Sequence, residues 1–153
     1  MTVTTTTTAF APVATASASA SEATAGSTPL WRTGALAGVV AALATTTVAA
    51  SALAADVPLE VDGEQIPLLA FAQLTLMGAA LGVLLAKAFA RWTRRPHGVF
   101  VATTVVLTAL SIVPDLTIPA TAASKAALIC THLVAAAVIV PALARRVPEA
   151  RQQ

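Results

Sequence analysis

Lys87-Ala88-Phe89-Ala90-Arg91-Trp92-Thr93-Arg94-Arg95-Pro96-His97 lies between two long apolar runs and holds four of the chain's nine basic residues. In a membrane protein, Lys and Arg in short connections stay on the cytoplasmic side, so such a cluster fixes how the chain threads. The stretch reads as an inner-face loop between two spans. Its neighbours on both sides take their direction from it.

The composition supports that setting. Of 153 residues, 57% are hydrophobic and only 10% charged. A soluble domain needs about 25% charged residues to keep its surface wet. The few charges are also segregated, gathered between apolar runs rather than scattered through them. That is how spans and loops look, not a solvated surface around a core. The net charge of +2 could suggest nucleic acid, but no basic face or aromatic platform accompanies it. The bias of inner loops toward Lys and Arg accounts for it. A single cysteine, Cys130, excludes an internal disulfide framework. It reads as a small hydrophobe in a helix interface.

Working outward, residues 1–30 are a Thr/Ala/Ser-rich tract with one charge, Glu22, and little to bury; such a tail is expected to be disordered. A first apolar run over residues 34–55 has the roughly 20 residues a bilayer needs, with Trp31 and Arg32 suited to the headgroup boundary. Its Ser51-Ala52-Leu53-Ala54-Ala55 ending also fits signal-peptidase preference. The length of the run and the near absence of a positive segment before it favour a retained span. Residues 56–67 carry four acids and no base. Asp62-Gly63 there predicts a tight hairpin turn flanked by Leu59, Val61 and Ile66, and so short a hairpin must lean on helix ends. Further spans are expected over residues 68–89, 98–113 and 120–142. The third is rich in β-branched residues, but in lipid a lone strand leaves its backbone unsatisfied and a helix does not. A tight turn is expected at residues 114–119, and a short cytoplasmic tail at 149–153.

The fold class is therefore all-α membrane: a four-helix transmembrane bundle over residues 31–148, with a short extracytoplasmic β-hairpin-like loop and a disordered N-terminal tail. With both termini inside, Arg32, Lys87, Arg91, Arg94, Arg95, Arg145, Arg146 and Arg151 are cytoplasmic and Lys125 alone is outside. Arg91, Arg94, Arg95, Arg145 and Arg146 dominate that bias, which points to a multi-pass protein of the plasma membrane. Two small-residue patterns, Gly34 with Gly38 and Gly78 with Gly82, predict faces where helix backbones approach closely within one protomer.

Val61 to Leu68, Gly82-Val83-Leu84-Leu85-Ala86 leading to Arg91, and Ser111 before Pro114-Asp115 are read together with His132-Leu133-Val134-Ala135-Ala136 and Pro141-Ala142-Leu143. In these the chain resembles an uncharacterised family of small four-span actinobacterial integral membrane proteins, a domain of unknown function. The resemblance covers residues 31–148. It implies four helices in the plasma membrane and brings no activity, so no catalytic residue is carried over.

Chemistry concentrates in the last two runs. Thr104, Thr108, Ser111 and Asp115 fall on one face of a helix, as do Thr121, Lys125, Leu128 and His132. Antiparallel neighbours joined by a tight turn would bring Asp115 to Lys125 near the outer surface and leave His132 near mid-bilayer. An ionisable residue at that depth is costly and marks a candidate site. His132 with Ser111, Lys125 and Asp115 thus forms a candidate intramembrane polar site. His132 could relay a proton, or it could hydrogen-bond to Ser111, a threonine or a carbonyl and join two helices. No metal-ligand spacing, cofactor motif or nucleophile–base arrangement stands out. The expectation is a non-enzymatic accessory or interaction protein, whose partners are the lipid bilayer and either a second copy or another membrane protein. The alternative is a small transporter or channel subunit moving protons or a small solute past His132. A third reading, a sensor binding cations on the acidic outer loop, lacks an ordered Ca²⁺-loop spacing.

Overall fold

In the computed structural model, which describes residues 29–61 and 63–149, four helices account for almost all of the chain. They are α1 (Leu30–Ala54), α2 (Leu68–Trp92), α3 (Pro96–Thr117) and α4 (Ala122–Ala144). All four are long and apolar enough to cross a membrane. Most of the expected N-terminal tail, Asp62 and Arg151 lie outside the described residues.

The outside of the bundle identifies its solvent. Leu36, Leu43, Leu69, Met77, Leu84 and Leu110 all stand exposed on it. Water would disfavour so continuous an apolar surface, whereas lipid accepts it and forces backbone groups to pair within each helix. Side-chain hydroxyls follow the same rule. Thr47 donates to the Leu43 carbonyl at 2.8 Å and Ser51 to the Thr47 carbonyl at 2.8 Å. The β-branched runs are therefore helical, as expected.

Small residues set the packing. Gly34 of α1 lies so close to Val83 of α2 that an added methyl would overlap it, and Leu143 of α4 closes the other side. One turn on, a methyl on Gly38 would stand 2.9 Å from Ala79. Farther along, the Thr45 and Thr75 hydroxyls share a 3.0 Å hydrogen bond. These contacts run in opposite directions along the two helices, so α1 and α2 are antiparallel. Gly82 of α2 accepts Leu143 and Ile139 of α4. Gly78 does not follow the expectation, because nothing lies within 4 Å of a methyl placed there. Its neighbour Ala79 turns toward α1 instead, leaving Gly78 about 100° away on the helix wheel, on the side of α3. Cys130 is likewise exposed on α4 rather than set in a helix interface.

The helix ends depart from the expected spans in an instructive way. α2 continues through Lys87 and Arg91 to Trp92, and α3 begins at Pro96, so only residues 93–95 connect them. Apolarity ends at the first charge, but intrahelical hydrogen bonding does not, and the extra turns carry their bases beyond the apolar zone. Pro96 sits in the first turn, where its missing N–H costs nothing. The short basic connection is anchored by His97 N–H to the Pro148 carbonyl at 3.2 Å.

At the opposite end, Glu60–Val61 and Glu64–Gln65 pair as an antiparallel hairpin, β1 and β2, with Glu60 opposite Gln65 and Val61 opposite Glu64. Gly63 has φ +82°, a left-handed value that a side chain would resist. Leu59 is fully buried among Ala49, Phe71 and Leu128, so the hairpin does lean on helix ends. Ser124 of α4 holds it further by donating to the Pro58 carbonyl.

The expected tight turn at residues 114–119 is not there. α3 runs through Pro114 to Thr117, and residues 118–121 bend across to α4, with the Ala120 N–H donating to the Ile118 carbonyl at 3.0 Å. His132, ten residues into α4 and about 15 Å along its axis, lies 3.1 Å from Asp115 in the last turn of α3, so α4 starts farther out than α3 ends. Asp115 is thereby carried to depth.

Candidate functional site

A cleft of about 460 Å³ opens between α2, α3 and α4, between the two packed ends of the bundle. Its walls are largely apolar, supplied by Phe71, Leu74 and Leu81 of α2, Leu107 of α3 and Ala136 and Ile139 of α4. One polar band crosses them. α3 contributes Thr104, Thr108, Ser111 and Asp115, spaced to share one face, and α4 contributes Thr131 and His132.

The α3 hydroxyls are turned back onto their own helix. Thr104 donates to the Phe100 and Val101 carbonyls, Thr108 to the Thr104 carbonyl at 2.8 Å, and Ser111 to the Thr108 carbonyl at 2.8 Å. They satisfy themselves and line the cleft without bridging to α4, so Ser111 is not the partner of His132.

That partner is Asp115. His132 Nδ1 stands 3.1 Å from Asp115 Oδ2 and 3.1 Å from the carbonyl oxygen of Leu128, one turn earlier on α4. Both neighbours are acceptors, so the ring proton belongs on Nδ1. Nε2 is left as the atom free to accept or donate. The carbonyl takes the better-aligned share of that proton, and buried Asp115 Oδ2 has no donor aligned on it. The Asp115 side chain is only 12% exposed, whereas that of His132 is 38% exposed and lines the cleft. The carboxylate is thus the hidden member of the pair and the imidazole its accessible face.

Lys125 does not meet Asp115. Its ammonium instead donates to the Leu116 carbonyl at 2.9 Å, closing the C-terminal end of α3, where a cation suits the helix dipole. The offset between the end of α3 and the start of α4 explains the exchange. His132 is ten residues into α4, about 15 Å along its axis, and that is the level at which Asp115 meets it. Lys125 lines a second recess with Pro58, Glu60 and Ser124. Thr121 caps α4, accepting from Ser124 N–H at 3.1 Å. Among the described residues, no three His, Cys, Asp or Glu side chains converge as metal ligands would.

Among the described residues, every Lys and Arg except Lys125 lies at one end of the bundle. Arg32 begins α1, Lys87 and Arg91 lie near the end of α2, Arg94 and Arg95 form the connection, and Arg145 and Arg146 follow α4. Trp31 and Trp92 are exposed at the same level, with the Arg32 guanidinium 5.7 Å from the Trp31 ring centre. Asp56, Glu60 and Glu64 lie at the other end.

The model of the family of unknown function DUF6069 matches residues 25–149, a segment that includes all four helices and the cleft. The chain belongs to that family. No curated protein and no solved structure matches it. DUF6069 brings no activity with it, so the chemistry of this member rests on its own residues.

Reading the sequence by itself finds the α3 half of the cleft and His132, but misses the α2 wall and Thr131. Thr75 and Gly78, which also line the cleft, carry a faint signal as small or polar positions in an otherwise large apolar run. Nothing in that run says which of its faces turns toward α3.

Proposed function

We propose that this DUF6069 protein is a multi-pass protein of the plasma membrane with both termini in the cytoplasm. In this reading it is a non-enzymatic accessory or interaction protein that holds a small molecule or a lipid group in the cleft between α2, α3 and α4. The observation that carries the reading is the Asp115–His132 pair in the wall of that cleft, 3.1 Å apart. Placing an ionisable pair at this depth is costly, and one partner facing a cavity is the arrangement expected of a site. A mostly apolar pocket of a few hundred Å³ with a small number of convergent polar groups is the ordinary form of a ligand site. The basic end supports the orientation through the same rule that set it from the sequence. The first helix is retained in this reading, because α1 supplies the tightest contacts in the bundle.

A second reading, a small transporter or channel subunit, draws on one specific observation: the His132 ring, whose two nitrogens can each carry a proton, lines the cleft. Proteoliposomes separate the two. Under an imposed pH gradient, the binding reading expects proton flux equal to that of empty vesicles for both the native protein and His132→Ala. Protein-dependent flux that vanishes in His132→Ala establishes the transport reading in its place.

A further inference from the structure

The cleft has a direction of entry and a sign of charge, and together they select a ligand class. Leu74 and Leu81 of α2 and Leu107 of α3 line it while remaining exposed on the outer surface of the bundle. The opening therefore faces lipid rather than either aqueous end, and a ligand reaches it by first partitioning into the bilayer. Its volume of about 460 Å³ suits a compact organic molecule. Gly78 borders it with no atom within 4 Å of where a side chain would start, so the α2 wall is recessed there.

The polar end of the cleft holds two ionisable groups, Asp115 and His132. The Asp115 side chain is 12% exposed, and its Oδ2 lacks an aligned donor because the His132 N–H is shared with the Leu128 carbonyl. A buried acceptor in that state favours any ligand that donates to it. Asp115 is the one acidic side chain lining the cleft, and in a medium of low dielectric a positive charge beside its carboxylate is strongly favoured. His132 Nε2 offers a second acceptor close by. A neutral hydroxyl could donate once but would leave the charge unbalanced. An anion would add a like charge.

We propose that the cleft binds a lipophilic amine from the bilayer, its ammonium set against the Asp115 carboxylate beside the His132 ring and its apolar body lying between α2 and α3. The proposal rests on the reading of the cleft as a binding site and adds the class of ligand.

Three probes of one shape and different charge test it: 1-adamantylamine, 1-adamantanol and adamantane-1-carboxylate. Each is equilibrated with the full-length protein in nanodiscs of zwitterionic lipid, and uptake by empty discs is subtracted. The expected result is saturable, one-to-one uptake of the amine. Asp115→Asn should weaken it at least tenfold, and the alcohol and the carboxylate should each bind at least tenfold more weakly than the amine. Gly78→Leu, which fills the recess and leaves the ion pair alone, should also abolish uptake, so the proposal does not hang on the folding of the Asp115 variant. If the alcohol or carboxylate binds as well as the amine, or if Asp115→Asn binds the amine as the native protein does, the amine assignment is overturned while the cleft remains a binding site. If none of the three shows saturable uptake by folded native protein, the binding reading falls with it.

Discussion

Gly34 and Gly78 show how far one residue type depends on what it faces. Gly34 is wedged between Val83 and Leu143, and a methyl there would overlap the Val83 side chain. Valine is stiff at χ1 in a helix and has little room to yield, so Gly34→Ala should cost about 1–3 kcal/mol through overpacking. Gly78→Ala meets open space and should leave stability unchanged or slightly raised, since alanine favours helix. Denaturation of the two variants in SDS–detergent mixtures would show the contrast; equal effects would contradict the close approach of α1 to α2. The ion pair is testable at the same scale. His132→Ala leaves Asp115 Oδ2 buried with no basic neighbour among the groups described around it, and should cost about 1–3 kcal/mol. Adding Asp115→Asn to that variant should recover part of the loss, because the uncompensated charge goes with it. Strictly additive losses would mean that the two side chains do not interact.

At the scale of single elements, apolar length and charge position made the four helices legible in the sequence, and Asp62-Gly63 made the hairpin legible. Their ends were not. A span read by apolarity stops at Lys87, whereas the α2 backbone keeps its hydrogen bonds to Trp92. Pro114 reads as a stop, yet α3 passes it. The Pro114 carbonyl still accepts from Ile118 N–H at 3.1 Å and from the Thr117 hydroxyl at 2.9 Å, so the last turn closes around it. The candidate site was legible in part for a related reason. Spacing alone puts Thr104, Thr108, Ser111 and Asp115 on one face, but which residue of α4 they meet depends on stagger. That stagger is set by how residues 118–121 bend between the two helices, and nothing in their composition announces it. The hairpin has its own test. Leu59 is its buried anchor, so Leu59→Ala should cost about 2–5 kcal/mol. It should also speed exchange of the Ile66 amide, which donates to the Leu59 carbonyl at 2.8 Å. Protection in the middle of α1 and α2 should fall much less. Unchanged Ile66 exchange would show that the hairpin is held without its apolar anchor.

Across the whole molecule, packing is uneven. α1, α2 and α4 close on one another through Gly34, Gly38 and Gly82, while α3 stands off α2 far enough to leave the cleft. Removing α1 at the Ala-rich end near Ala54 would uncover the faces that Gly34, Ala41 and Ala49 bury. The intact mass of protein purified from membranes should therefore include α1. A mass beginning near Asp56 would show that the first helix is cleaved. The segregation of charge between the two ends is the other property of the molecule as a whole, and the proposed orientation depends on it. Accessibility labelling reads that orientation directly. In a Cys130→Ala background, Thr93→Cys at the basic connection and Glu64→Cys in the hairpin are each exposed to a membrane-impermeant maleimide on intact cells. Labelling of Glu64→Cys on intact cells, with Thr93→Cys labelled only after permeabilisation, is the predicted result; the reverse pattern, or labelling of both on intact cells, would contradict it.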